Sequence, residues 1–360
     1  MLSSLIHLHE WRESFNGNDI GYGFDELKPN EKYHYPEAYA VFGRGYLKLY
    51  KVTKEQEYFK CALKCAEWLL RNSSPKYTNP SWGLPFEWKV WKASRELSYV
   101  CTTSYCGDFM IDLYEITKDD EYKDVATSIA DWLIHENTYK ITNGGIDFYY
   151  ANHDPLKFSI YNHNALAMGF FSKLFNFNQD EKYKKIADGV SSFLISNQNK
   201  FGAWSYSEKN ETIDNFHNAL MIDGFTDFLI TFKANDAEKA VQRSLDFYRN
   251  KFYLKNGKGR EYAIKIANDS NIAKATLIYV KKQIGFGPPA KLWSYGSGIR
   301  ALTKSSSLFK KNNNEDFVVN YVILNLKQEN GAFAFTEEKP NKYIRNEAHI
   351  FDGLATFIQI

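Results

Sequence analysis

Three stretches of the chain repeat one another: KVTKEQEYFKCALKCAEWLLRN from Lys51, EITKDDEYKDVATSIADWLIHEN from Glu115 and NFNQDEKYKKIADGVSSFLISNQ from Asn176. Each runs from a polar turn through an acidic cluster and a Tyr (Tyr58, Tyr122, Tyr183) into a helical pattern that ends in an aromatic residue and Leu. Weaker copies begin at Ala234, where the Tyr is missing, and at Asn313. A repeated unit of this size cannot bury its apolar face alone and must pack against its own copies. In the first copy Phe59, Leu63, Ala66 and Leu70 recur at helical spacing, while Lys60, Lys64, Glu67 and Arg71 face the other way. These are helices with one face in water.

A different kind of helix precedes each copy: AYAVFGRGYLKLY from Ala38, SYCGDFMIDLYEI from Ser104, HNALAMGFFSKLF from His163, HNALMIDGFTDFL from His217 and YGSGIRALTKSSSLF from Tyr295. Helices apolar on most sides are buried. They carry Gly43, Gly169, Gly224 and Gly298. A glycine inside a helix costs about 1 kcal/mol against alanine, so its recurrence implies close helix approach.

Inner helices start near residues 36, 103, 161, 214, 292 and 345, and an outer helix follows each of the first five. The N-terminal LSSLIHLHEWRESF supplies the sixth outer partner, the termini meet, and the ring closes. The expected fold is all-α: an (α/α)6 six-hairpin toroid covering 1–360 as one domain. Glycine-aromatic turns (NPSWGLPFEW, NGGIDFYY, NKFGAWSYSE, NGAFAFTEE) give short β-hairpins at one end. Residues 256–290 fall outside the repeat and read as an insertion with one helix, NIAKATLIYVKKQI. An alternative register uses that helix as the fifth inner one.

The 360 residues are 44% apolar and 24% charged, with a net charge of +2 and no basic block. That describes a globular chain without the footprint of a nucleic-acid binder. No segment holds 18 consecutive apolar residues, so no membrane span is expected, and the N-terminus does not read as a signal peptide. Cys61, Cys65, Cys101 and Cys106 form no CxxC pair. Cys61 and Cys65 stand four apart, the spacing of a metal pair, but buried free thiols are the expectation. No metal, cofactor or disulfide is expected, and the compartment reads as reducing and cytoplasmic.

The inner helices open on polar turns, most plainly in IDNFHNALMIDGF, with Asp214, Asn215, His217 and Asn218. In a ring, every inner helix starts at the same end, so these turns face one cavity. The candidate catalytic groups are Glu37, Tyr105, Asp108, His163, Asp214 and His217. The candidate substrate-binding groups are Tyr33, His34, Tyr35, Asn164, Asn215, Tyr295, Arg300, Arg345, Glu347 and His349. The glycine-aromatic hairpins add Trp82, Glu87, Trp88, Trp204 and Tyr206 to the rim. Rings beside carboxylates and amides suit stacking on sugars with hydrogen bonds to hydroxyls. Capping explains Asp214, Asn215 or Thr103 singly, and some of these side chains are expected to be buried hydrogen-bond partners.

KYHYPEAYAVFGRGYLKLY, IDNFHNALMIDGF and NGAFAFTEEKPNKYIRNEAHIFDGLATF together resemble α/α-toroid proteins encoded with bacterial exopolysaccharide and capsule biosynthesis systems. The helical part of glucuronyl C5-epimerases and the six-hairpin glycosidases are similar at the level of fold. The closing stretch departs from the pattern by carrying Asn346 and His349 where the family has aromatic residues. The resemblance implies a glycan or glycan-lipid substrate and a role in making or modifying polysaccharide.

Three chemistries suit such a site. Hydrolysis needs two carboxylates across one bond, and uronate elimination or epimerisation needs an acid and a base for one proton. A non-catalytic glycan-binding or assembly component is the alternative. A terpenoid or prenyl-transfer toroid ranks last, because the chain has neither DxDD nor DDxxD.

Overall fold

The computed structural model describes residues 1–263, 288–309 and 315–359. Its helices alternate as the repeat requires. The inner helices are α2 (Pro36–Thr53), α4 (Val100–Thr117), α6 (Tyr161–Asn178), α8 (Asn215–Thr231), α10 (Leu292–Phe309) and α12 (Ile344–Phe357). The outer ones are α1 (Leu2–Asn16), α3 (Gln56–Arg71), α5 (Asp120–Asp131), α7 (Glu181–Ser196), α9 (Asn235–Phe252) and α11 (Glu315–Asn325). Each inner helix packs on the next and α12 packs on α2, so the ring closes as expected. The fifth inner helix begins at Leu292. The helix read in 271–284 lies outside the described residues.

The repeated polar turn is the connection from inner to outer helix. Lys54, Lys118 and Gln179 each take the left-handed conformation, φ 55° to 65°, and donate back to Tyr50, Tyr114 and Phe175. That ends the inner helix with a standard C-terminal turn. One residue later, Asp119 and Asp180 accept the N–H groups of Glu121 and Lys182 and start the outer helix. These three links are two residues long. At the other end they are long and carry hairpins, β1 (Tyr22–Asp25) with β2 (Lys28–His34) and β3 (Tyr139–Thr142) with β4 (Gly145–Phe148), both antiparallel. Inner helices therefore start beneath the hairpins.

Glycine lets the ring tighten. A Cβ on Gly224 of α8 would sit 2.2 Å from the carbonyl oxygen of Ala165 in α6, and one on Gly296 of α10 would sit 2.3 Å from that of His349 in α12. No side chain fits at either place.

The barrel's interior holds a belt of ion pairs. Arg44, Asp108, Asp223, Arg300 and Asp352 each lie eight residues past the start of their inner helix, and Lys48, Asp112, Lys173, Asp227 and Lys304 lie one turn further. Charge alternates from helix to helix: positive on α2, α6 and α10, negative on α4, α8 and α12. Arg44 reaches Asp108 and Asp112; Lys173 reaches Asp108 and Asp227; Lys304 reaches Asp227 and Asp223; Arg300 reaches Asp223 and Asp352; Lys48 closes the circle on Asp352. Five cations meet five carboxylates, so the buried belt is neutral, as an interior of low dielectric demands. α6 has Gly169 in the upper tier, leaving room for Asp227, and α12 has Thr356 in the lower, which accepts from Lys48. Burial opposes the charge on Asp352, but Lys48 and Arg300 hold it near about 2.

Candidate active site

The polar first turns do two jobs, divided by position. One set clamps the hairpins. The Asn218 amide accepts the N–H of Trp204 and donates to its carbonyl, both at 3.0 Å. Thr103 does the same for Trp82, at 3.0 and 3.1 Å. Asn164 accepts the N–H of Phe148, and His163 Nε2 donates to its carbonyl at 2.8 Å. Glu347 accepts the N–H of Phe333. Each pair satisfies main-chain groups that would otherwise be buried unpaired. Asn215 likewise donates to the carbonyl of Arg260 and accepts from Tyr248.

This corrects several sequence assignments. His163 is fully buried, and burial draws it down to about 4, so it stays neutral and structural. Asn164, Asn215 and Glu347 are wall residues with no exposure. The Trp82 and Trp204 indoles donate to the carbonyls of Leu69 and Leu194 and are 1% exposed, so both are anchors rather than stacking platforms. Tyr295 accepts the N–H of Gly259 through its hydroxyl and is also buried. Asp108 and Arg300 belong to the belt, well below the mouth. Glu87 is exposed on the 81–99 loop, and Trp88 packs edge-on against Trp91 and Tyr99. Tyr33 and His34 face a separate groove between the β1–β2 hairpin and residues 72–96.

The other set lines a pocket, in which His217 is reached by solvent. Asp214, His217 and Tyr206 line a pocket of about 460 Å³ with Glu261, Lys291 and Trp293. Asp214 is the N-cap of α8: Oδ1 accepts the His217 N–H at 2.8 Å. The same carboxylate meets His217 Nδ1 at 2.8 Å. A carboxylate accepts, so Nδ1 carries the ring proton and Nε2 presents a lone pair. The His217 side chain is 26% exposed. No group among the described residues bonds its Nε2.

Glu261 closes the pocket beside this pair. Its Oε2 accepts the Lys291 N–H at 3.0 Å and the Ser294 hydroxyl at 2.9 Å, at the start of α10. Burial pushes its pKa above the usual carboxylate range; the Lys291 N–H opposes that and the charge of Asp214 adds to it. Lys291 is held by Glu26 at 2.7 Å. Tyr206 lies edge-on to His217, ring centres 4.7 Å apart, and burial with Cys101 and Asp214 nearby raises its hydroxyl to about 12.

Phe216 and Trp293 stack at 4.4 Å and form the pocket's inner wall. Behind them sits a second cluster. Arg345 grips Asp25 with two bonds of 2.7 Å and Glu37 with one of 3.1 Å, and it lies over Trp293 and Tyr35. His349 Nε2 meets Glu37 at 3.0 Å, and Tyr105 and Phe216 press edge-on against its ring. Burial works against the Glu37 charge, but Arg345 and His349 keep it ionised, near about 2. Glu37, Arg345 and His349 are each at most 8% exposed. The sequence groups Tyr35, Tyr105, Glu37 and Arg345 with His163, Asn215 and His217 in one pocket; the structure separates the buried cluster, the wall and the solvent-reached His217.

The sequence reading missed Glu261, Lys291, Asp25 and Glu26. Glu261 falls in the stretch outside the repeat, where no internal comparison could flag it. It stands 31 residues before α10, so no spacing relative to that helix marks it.

The family model of Glycosyl Hydrolase Family 88 matches residues 12–146. No curated protein matches the chain. Among solved structures, a glycosyl hydrolase family 88 protein from Bacteroides vulgatus superposes with a TM-score of 0.70 at 10% identity, covering 99% of this chain and 98% of that one. A family 76 alpha-mannanase from Bacteroides thetaiotaomicron gives 0.72 at 12%, covering 99% and 96%. A cellobiose 2-epimerase from Bacillus thermoamylovorans gives 0.69 at 11%, covering 98% of each chain. The shared feature is the (α/α)6 fold.

Proposed function

We propose that this chain is an enzyme acting on a glycan seated over the Phe216–Trp293 wall, with His217 as the proton-transfer group. One observation carries the reading: a solvent-reached imidazole whose far nitrogen is fixed by a carboxylate, in a pocket that also holds a carboxyl group biased toward its protonated form. Asp214 turns Nε2 outward as an acceptor. Glu261 has the opposite bias and suits proton donation to a leaving or ring oxygen. A proton acceptor and a proton donor in one pocket are what general acid–base chemistry requires.

The family match and the sugar-directed activities named for the structural neighbours support a carbohydrate substrate. Those activities span hydrolysis and epimerisation, and the same two proton-transfer groups serve either. In hydrolysis His217 takes a proton from the attacking water while Glu261 protonates the departing oxygen. In elimination or epimerisation His217 takes the proton from a carbon beside a carbonyl or carboxylate. The resemblance to exopolysaccharide-associated toroids supports a polymeric or lipid-linked glycan as substrate.

The test offers the protein a panel of bacterial polysaccharides and oligosaccharides with three readouts: new reducing ends, unsaturated products and deuterium uptake from heavy water. Turnover by any of them that falls at least about 10²-fold in His217→Ala, with Tm nearly unchanged, is the expected result. Glycan binding that His217→Ala leaves intact, with no turnover in the wild type, favours a non-catalytic glycan-binding role. Loss of ~2 kcal/mol or more of stability in His217→Ala with glycan affinity intact overturns the site.

A further inference from the structure

We propose that His9, Glu13, Glu57 and Cys61 form a binding site for a divalent transition-metal ion, with zinc the best fit, that staples α1 to α3 where the ring closes. In the sequence Cys61 pairs by spacing only with Cys65, and no metal is expected there. Folding brings a different set together. His9 and Glu13 stand four apart on α1, and Glu57 and Cys61 stand four apart on α3. Each pair therefore projects from one face of its helix, and the two faces meet.

The donor atoms are already close. His9 Nε2 is 3.3 Å from Glu57 Oε1 and 3.8 Å from Glu13 Oε2. The donors of His9, Glu13 and Cys61 lie within 4.8 Å of one another. Tetrahedral zinc, with bonds of about 2.0–2.3 Å, sets its ligands roughly 3.3–3.8 Å apart. Glu57 stands outside that group of three, and both it and Glu13 are solvent-reached (62% and 41% exposed), so either carboxylate is free to swing onto the ion.

Two further features point to a metal rather than a plain acidic patch. Cys61 is 2% exposed, faces the cluster, and makes no hydrogen bond among the described residues. His9 is held from behind: its Nδ1 meets the Tyr46 hydroxyl at 3.0 Å, and that hydroxyl accepts the Arg12 Nε–H at 2.7 Å. Metal-binding imidazoles are oriented this way, through the nitrogen that does not bind the ion. Charge also balances. The buried Arg12, two carboxylates, one thiolate and a doubly charged ion sum to zero. Binding displaces the thiol proton to solvent, and the imidazole proton rests on Nδ1. A mixed N, O and S donor set selects zinc, cobalt or nickel over magnesium or calcium. Cys65, one turn on and buried, is not part of the set.

The test uses the full-length protein after chelator treatment, titrated with Co2+ and then Zn2+. The expected result is tetrahedral cobalt absorption with a thiolate-to-metal charge-transfer band, saturating at one ion per chain. Zinc displaces that spectrum and raises Tm as its concentration grows, whereas Mg2+ leaves Tm unchanged. Cys61→Ser loses the charge-transfer band. Glu57→Gln, at an exposed position that does not threaten folding, weakens zinc binding by about tenfold or more. No charge-transfer band in the wild type, a band that persists in Cys61→Ser, or equal stabilisation by Mg2+ overturns the proposal.

Discussion

Asp214 binds His217 twice: its carboxylate accepts the main-chain N–H at 2.8 Å and meets ring Nδ1 at 2.8 Å. One carboxylate thus starts a helix and sets a tautomer. These two duties separate in a single substitution. Asn caps a helix about as well as Asp, so Asp214→Asn should keep stability within about 0.5 kcal/mol. An amide can donate to Nδ1, which admits the tautomer with the proton on Nε2 and removes the outward lone pair. Glycan turnover should fall by about 10²-fold or more. Calorimetry beside a turnover assay checks both halves; equal loss in the two would reduce Asp214 to a cap.

Asn218 follows His217 directly and should behave in the opposite way. Its amide holds both main-chain groups of Trp204. Asn218→Ala strands a buried donor and a buried acceptor, at about 1–3 kcal/mol for each group left unsatisfied. Tm should drop clearly, while glycan affinity of the folded fraction stays near wild type. A stable Asn218→Ala protein with lost affinity would move Asn218 into the site.

The ion-pair belt predicts its own mutational pattern. Asp227 stands between Lys173 and Lys304 at 3.2 and 2.8 Å. Asp227→Asn leaves one buried cation in excess and should cost about 3–5 kcal/mol. Adding Lys304→Met restores the balance at four against four and should recover part of the loss. Recovery is the informative outcome, since simple damage to packing would accumulate. The belt also sets acid stability. Asp352 near about 2 lies below the ordinary aspartate value near ~3.9. A lowered folded pKa gives stability that is present above the unfolded value and lost as pH falls through the folded one. Urea melts between pH 4 and pH 2 should show that loss, and Asp352→Asn should flatten it.

The ring was legible in the sequence because period and polarity both repeat: half-wet helices alternate with apolar ones, and tight polar turns join them. The site was legible only in part, for a geometric reason. Consecutive helical residues point about 100° apart, so His217 faces the pocket while Asn218 faces a hairpin. A polar turn in the sequence does not disclose which is which. Depth was hidden as well. Asp108 and Arg300 are polar residues on apolar helices, but each lies eight residues in, or about 12 Å at 1.5 Å per residue, and meets the belt instead of the mouth. Glu261 and Asp25 come from segments with no counterpart in the other repeats, and only the fold brings them in.

Glu347 provides the sharpest pH test. It occupies the clamp position that Asn218 fills in α8 and Thr103 in α4. Those side chains both accept and donate, whereas a carboxylate only accepts. Burial pushes Glu347 up to about 8, against the weaker opposing effects of the Phe333 N–H and Lys342. At neutral pH the group is therefore a carboxylic acid, and its Oε2 meets no hydrogen-bond partner among the described residues. An unfolded glutamate titrates near ~4.3. Between that value and about 8 the folded chain holds a proton that the unfolded chain has released. Stability is then full below pH 4 to 5 as far as this group is concerned, and it declines as pH rises through 8. The decline amounts to several kcal/mol at about 1.4 kcal/mol per pKa unit. Glu347→Gln keeps an acceptor and a donor but cannot ionise, so it should match the wild type at low pH and exceed it at pH 9. Chemical melts of both proteins from pH 5 to pH 9 measure this directly, and parallel curves across that range would show that Glu347 does not carry the proton.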